Sequence, residues 1–204
     1  MNKFILTSLA FLLFINYASG QIKFGAKAGL NFSNARNIGS TENKNKFGIN
    51  AGLLGKLYIR KRFLIQLESL YSIKGYKFPK TALNGSGFLQ FNYISVPLLV
   101  GFKFTDKFAA LLGPEFNFLT RAKSKFNNTD HDVTKIYRKF DLGIDLGVAY
   151  NLNAKLGIEL RYFYGFEDLA DVTITDSMGN FIRNDRIGSN RVLQFGLYYI
   201  FSKR

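Results

Sequence analysis

The strongest constraint on this chain is a two-residue alternation of apolar positions with polar or glycine positions, which begins just after residue 21 and recurs to the C-terminus. Alternation of that period sets successive side chains on opposite faces of an extended strand, whereas a helix would repeat every three to four residues. In the first segment, 22–32, Ile22, Phe24, Ala26, Ala28, Leu30 and Phe32 share one face, and Lys23, Gly25, Lys27, Gly29 and Asn31 share the other. The pattern returns over 47–59, 63–73, 91–104, 108–120, 140–152, 156–164 and 191–201, which makes eight segments. Each reaches about nine residues, the length at which a tilted strand crosses a hydrocarbon layer.

The connections alternate as well. Long polar stretches, 33–46, 75–90, 121–139 and 165–190, follow the odd segments, and tight turns at 60–62, 105–107 and 153–155 follow the even ones. This order predicts an all-β fold, an eight-stranded antiparallel transmembrane β-barrel with short periplasmic turns and long extracellular loops. The last strand closes on the first, because lipid has no hydrogen bond to offer an open edge.

The charges of the strands lie opposite the apolar face. A Lys or Arg facing lipid at mid-depth costs roughly 2–4 kcal/mol, so Lys27, Lys56, Glu68, Lys103, Glu115, Asp141, Asp145, Glu159 and Arg161 are expected to point into the barrel. Of these, Lys56, Glu68, Lys103, Glu115, Asp141, Asp145, Glu159 and Arg161 form the predicted lumen charge cluster. Gly25, Gly29, Gly48, Gly52, Gly101, Gly113, Gly143, Gly147, Gly157 and Gly196 share that face and relieve crowding. Eight strands enclose just enough space for side chains to fill. A turn centred on Asn153 would set Asp145 opposite Arg161, and one centred on Arg62 would set Lys56 opposite Glu68. Pro97 and Pro114 lack a ladder donor and predict a bulge or local break in their hairpin.

Lys3, the apolar run 4–15 and Ala18-Ser19-Gly20 read as a signal peptide, residues 1–20, cut after Gly20 to leave Gln21 first in a barrel domain of residues 21–204. The absence of cysteine excludes a disulfide framework and a lipoprotein anchor. Loss of Lys3 lowers the net charge of +14 by one only, and so strong a positive balance suits acidic surroundings. Export argues against nucleic acid. Outer-membrane lipids, lipopolysaccharide phosphates among them, remain as anionic partners, together with the outer-membrane insertion machinery and an unknown extracellular ligand.

Arg121, Lys123, Lys125, Lys135, Arg138 and Lys139 make the third loop basic, and Arg183, Arg186 and Arg191 end the fourth. His131, between Asp130 and Asp132, reads as a solvated loop residue. No nucleophile, base and orienting group stand together, so the sequence assigns no catalytic residue, no metal and no cofactor. Trp is absent, so the interfacial girdle must be made by Tyr and Phe, with Tyr71, Tyr150, Tyr162 and Tyr199 among its members.

Three stretches resemble the PorT-like outer-membrane β-barrel family, whose members are often described as porin-family proteins. Tyr93-Ile94-Ser95-Val96-Pro97-Leu98-Leu99-Val100 is similar to that family's Tyr-Leu-x-Ile-Pro-Leu-Leu strand. Phe140-Asp141-Leu142-Gly143-Ile144-Asp145-Leu146-Gly147 is similar to its Phe-Asp-x-Gly strand. Glu159-Leu160-Arg161-Tyr162-Phe163-Tyr164-Gly165-Phe166 resembles the Arg-Tyr-x-x-Gly-Leu segment, with Phe for the final Leu. The chain departs in ending Ser202-Lys203-Arg204 after Phe201 rather than on an aromatic residue. The resemblance implies a Gram-negative outer-membrane barrel and names no common ligand or reaction. The expected role is therefore a noncatalytic barrel with a polar, mostly filled lumen and basic loops for lipid or ligand contact. The alternatives are a narrow porin-like channel for small polar solutes and a lipid-modifying enzyme.

Overall fold

The computed structural model describes residues 22–35, 43–59, 61–78, 87–126, 129–175 and 181–201, with the backbone alone at 171–175 and 181–187. The predicted signal peptide and Ser202-Lys203-Arg204 lie outside the described residues, as do the side chains of Arg183 and Arg186. Eleven strands are present: β1 Ile22–Ala35, β2 Lys44–Ile59, β3 Phe63–Phe78, β4 Gly87–Lys103, β5 Phe108–Phe126, β6 Thr129–Asp132, β7 Phe140–Asn151, β8 Leu156–Gly165, β9 Ala170–Thr175, β10 Phe181–Ile187 and β11 Asn190–Ile200. Each pairing is antiparallel, in the order β4-β3-β2-β1-β11-β8-β7-β5, and β4 pairs with β5 to close the ring. Eight strands thus form the expected closed barrel, with β1 and β11 paired from Gly25↔Ile200 to Ala35↔Asn190.

The outward face is apolar along every barrel strand. Phe24, Leu53, Leu67, Leu98, Leu112, Leu146, Leu160 and Phe195 are each 41–64 % exposed. Apolar area left in water forfeits about 25 cal/mol per Å² relative to burial, so such a belt belongs in hydrocarbon. Tyr71, Tyr150, Tyr162 and Tyr199 face outward as expected, but phenylalanine supplies most of the rings at the two ends. Phe63, Phe102, Phe104 and Phe108 pack in sequence at the turn end, with centroids 5.2–5.7 Å apart. Phe118 with Phe140 and Tyr164 with Phe166 do so at the loop end.

The strands outrun the alternation that announced them. β3, β4 and β5 continue to Phe78, from Gly87 and to Phe126, so parts of the predicted loops 75–90 and 121–139 are ladder. Beyond the bilayer both faces of a hairpin are free to be polar, and the two-residue pattern disappears while hydrogen bonding continues. β6 folds back on the end of β5, and β9 pairs with β10 within the predicted loop 165–190.

The prolines do interrupt pairing. The β3–β4 ladder is broken opposite Glu68–Ser69, where Val96 and Pro97 stand, and the β4–β5 ladder is broken between Pro97 and Val100, opposite Gly113 and Pro114. The register is the same on both sides of each break, so neither is a bulge. The bulge of this hairpin lies further up, between Asn92 and Tyr93, and adds Thr120 to β5. The Thr120 hydroxyl donates to the Asn92 carbonyl at 2.9 Å. One extra residue reverses the faces, so Leu119 and then Ala122, rather than Arg121, turn inward.

Inward glycines make room for their neighbours' side chains. A Cβ at Gly147 would lie 2.5 Å from both the Arg161 stem and the Leu160 carbonyl, whereas one at Gly196 would meet only the movable Lys27 stem, with its nearest atom, Cε, at 2.6 Å. Gly147→Ala is therefore expected to destabilise the barrel by about 1–3 kcal/mol and Gly196→Ala by clearly less, as read from urea unfolding in lipid.

Candidate functional site

The barrel interior is the most densely organised polar region of the chain. Five cationic residues, Lys27, Lys46, Lys56, Lys74 and Arg161, and five carboxylates, Glu68, Glu115, Asp141, Asp145 and Glu159, are buried. The interior is formally neutral, so the excess positive charge of the chain lies on the loops and rims.

The lower tier centres on Glu159 of β8. Its Oε2 accepts from Lys27 Nζ at 2.5 Å, and its Oε1 from Lys56 Nζ at 3.3 Å and from Gln66 Nε2 at 3.0 Å. Lys27 also reaches Glu68 at 3.2 Å, and Gln66 donates to the same carboxylate. Arg161 Nη2 donates to Glu68 Oε2 at 2.8 Å and to Gln194 Oε1 at 3.2 Å, while its Nη1 stands 3.5 Å from Asp145 Oδ2. Lys56 Nζ also lies 3.5 Å above the Tyr198 ring, within the range of a cation–π contact. In the upper tier Lys74 Nζ donates to Glu115 Oε1 at 2.5 Å and to Asn117 Oδ1 at 2.8 Å, and lies 4.1 Å from the centre of the Phe163 ring. Asp141 accepts from Asn190 Nδ2 at 2.8 Å nearer the loops.

Seven of the eight predicted cluster residues are inside. The exception is Lys103, which lies at the turn end with its side chain 17 % exposed and pairs with Asp106 at 3.1 Å. It sits past the end of the packed interior, where the ring opens to water. The predicted cross-strand partners also need correction. Asp145 pairs with Phe163 and Arg161 with Gly147, while Lys56 pairs with Gln66 and Glu68 with Leu54. Each turn is centred one residue from the position expected, on Ala154 and Lys61. Asn153 instead accepts from the Lys155 and Leu156 amides at 2.8 and 2.9 Å, which draws the turn forward. The faces survive this correction, because the partner moves by two positions and side-chain parity is kept.

Sequence reasoning placed Lys27 on the inward face without assigning it to the cluster; Lys74 stands on the same face, and both hold the cluster's carboxylates. It also missed the apolar layers that cap the polar interior. At the turn end Leu64, Leu99, Ala109, Leu111 and Ala149 pack together beside Leu54, Tyr198 and Ile200. At the loop end Ala35, Tyr76, Leu89, Phe91, Tyr93, Leu119, Ala122 and Leu169 form a second layer, with Val133 and Tyr137 of the third loop against it. The available signal was loss of alternation: Phe63-Leu64-Ile65, Leu98-Leu99-Val100 and the run 197–201 are apolar on both faces.

The basic third loop is partly committed. Arg121 Nε pairs with Asp132 Oδ2 at 3.2 Å, and Arg138 Nη1 with Glu167 Oε2 at 2.9 Å, which ties the third loop to the fourth. Lys123, Lys125, Lys135 and Lys139 make no ion pair among the described residues. Arg191 is not a free loop charge either. It stacks 3.5 Å over the Tyr164 ring and donates to the Gly165 carbonyl at 2.8 Å. His131 is exposed on β6, opposite Ser124. Among the described residues no three His, Cys, Asp or Glu side chains converge on a metal position.

A family model described as Outer membrane protein beta-barrel domain matches residues 16–171. The chain belongs to that family. This outer-membrane barrel accordingly resides in the bacterial outer membrane, with its turns in the periplasm and its loops outside. Among solved structures it is similar to Ail, the attachment invasion locus protein of Yersinia pestis, at 17% identity and a TM-score of 0.51, over 88% of this chain and 98% of that one. It is also similar to Neisserial surface protein A, at 15% identity and a TM-score of 0.53, over 88% and 97%. At those identities the likeness is one of fold. No curated protein matches the chain.

Removing one partner from a buried ion pair leaves the others uncompensated. Glu159→Gln is expected to cost about 3–5 kcal/mol in unfolding measurements, and adding Lys27→Met to recover part of that loss. At the loop end, the Thr134 hydroxyl, the Thr134 amide and Arg121 hold the Asp132 carboxyl below its ordinary range. A depressed carboxylate pKa stabilises the fold above the unfolded value, about 3.9, and loses that contribution as pH falls through the folded value. Amide exchange at Thr134 should therefore quicken, relative to the barrel strands, below about pH 4.

Proposed function

We propose that this barrel is a noncatalytic, nonconducting outer-membrane protein that presents its cationic third loop to anionic lipid headgroups or to an external ligand. The observation that carries this reading is the closed lumen, in which an ion-paired tier is capped at both ends by apolar side chains. A hydrated ion meeting such a layer would shed water without receiving compensating ligands. Asp132, one of the two carboxylates beside His131, is engaged by Thr134 and Arg121 rather than by the imidazole. The motifs around Pro97, Asp141 and Arg161 support placing the chain with the PorT-like barrels within its family.

The second reading, a narrow polar path, is favoured by inward atoms such as Gln66 Oε1 and Asn117 Nδ2 that make no hydrogen bond to protein. Planar-bilayer recording of the folded protein separates the two. The closed-lumen reading expects no reproducible single-channel steps. Stable steps whose size changes on Arg161→Met would replace it with the channel. For the loop, neutralising Lys123, Lys125, Lys135 and Lys139 together is expected to weaken binding of lipopolysaccharide micelles by about 1 kcal/mol per lysine at low salt, with less effect as salt rises. Unchanged binding would remove lipid contact by this loop from the proposal.

A further inference from the structure

The periplasmic end of the barrel carries a basic recess that neither the lumen nor the loops explain. It measures about 780 Å³, within the usual range for small-molecule sites, and is lined by Lys23 of β1, Lys61 of the first turn, Lys103 at the end of β4 and Lys107 just before β5. Four lysines face a single carboxylate, Asp106, whose side chain is fully exposed. The charges come from three separate parts of the chain and converge on one ring. The ammonium groups of Lys23 and Lys103 lie 5.3 and 5.9 Å from the centre of Tyr58. The wall is also built. Tyr198 donates to Asn151 Oδ1 at 2.5 Å, and Asn151 Nδ2 donates to the Asp106 carbonyl at 2.9 Å, which joins the second and third turns.

Lys23 and Lys103 share the Tyr58 ring, so their charges stand no further apart than those two distances together, close to a Debye length of roughly 8–10 Å, and repel one another. The recess does not continue into a pore, because Lys56, cross-strand from Lys23, and Glu159 and Arg161 beyond it are all buried. Its lysines therefore do not serve permeation. No described arginine lines it. The planar fork of arginine suits two-point binding of a carboxylate, whereas lysine ammonium groups act as movable point charges around a compact, multiply charged anion.

We propose that this recess binds phosphate groups, carried either by a small soluble polyphosphate of the periplasm or by the headgroups of inner-leaflet phospholipid at the barrel rim. The test uses protein purified from outer membranes, with sodium pyrophosphate as the soluble probe. Saturable, equimolar binding is expected by calorimetry, with amide shifts in NMR spectra at Lys61, Asp106 and Asn153. Lys23→Gln combined with Lys107→Gln should weaken it about thirtyfold, at the per-lysine scale of a charged surface. Lys44→Gln with Lys77→Gln, exposed at the opposite end of the barrel, should leave it unchanged, and circular dichroism checks that both variants keep the barrel. In nanodiscs, competition by phosphatidylglycerol but not by phosphatidylcholine assigns the site to headgroups, and equal pyrophosphate binding in both assigns it to a soluble ligand. The proposal is overturned if pyrophosphate gives no saturable binding and phosphatidylglycerol causes no shift at these turns, or if the Lys44 and Lys77 variant abolishes binding and the recess variant does not.

Discussion

Hydrocarbon offers a peptide group no hydrogen bond, so each strand that crosses it needs a neighbour on both sides. Here the requirement is met by joining the first barrel strand to the last, from Gly25↔Ile200 to Ala35↔Asn190, and by pairing β4 with β5. The two prolines show how tightly this condition operates. Pro97 and Pro114 sit at breaks that leave the register intact, and the bulge of their hairpin falls above them at Thr120. A shift of register within the bilayer would have turned Phe116 or Phe118 inward and Glu115 or Asn117 toward lipid.

Closure at eight strands sets the second condition, because the enclosed space is narrow enough for side chains alone to fill it. Charges excluded from the lipid face are pressed together, and they coexist because five cations meet five carboxylates. Glu159 and Glu68 each serve more than one cation, so removing either leaves more than one buried charge uncompensated. Gly147 and Gly196 are part of the same arrangement, since Arg161 and Lys27 occupy the volume that larger residues would take. With the interior neutral, the surplus positive charge is displaced to the two rims. The third loop outside and the lysine recess in the periplasm are two expressions of that one displacement.

The functional reading follows from how the lumen ends. Apolar layers at both mouths enclose the ion-paired tiers, and the loop-end layer borrows Val133 and Tyr137 from the third loop and includes Leu169 from the fourth. Arg138 and Glu167 join those loops above it. The extracellular surface is thus continuous with the packing of the barrel, and the loop bearing Lys123, Lys125, Lys135 and Lys139 is held by the apolar core at the loop end.

Much of this barrel was legible in one dimension. A two-residue period, alternate long and short connections, and charges confined to one parity determine strand number, closure and which residues face inward, because each depends only on local geometry and on the cost of charge in lipid. All eight predicted lumen charges obeyed that parity, and seven of them are buried in the lumen. Lys103 did not stay with them, because parity states which way a side chain points and not how far along the barrel it lies. The partners of Asp145 and Lys56 could not be read either, since a turn centre displaced by one residue moves every partner by two while leaving the faces unchanged. The apolar caps, the gathering of Glu159 with Lys27, Lys56 and Gln66, and the convergence of Lys23, Lys61, Lys103 and Lys107 join residues from distant strands. Those contacts exist only once the sheet has curved shut, so the tertiary structure alone decided which charges meet in the lumen and that the periplasmic mouth is basic.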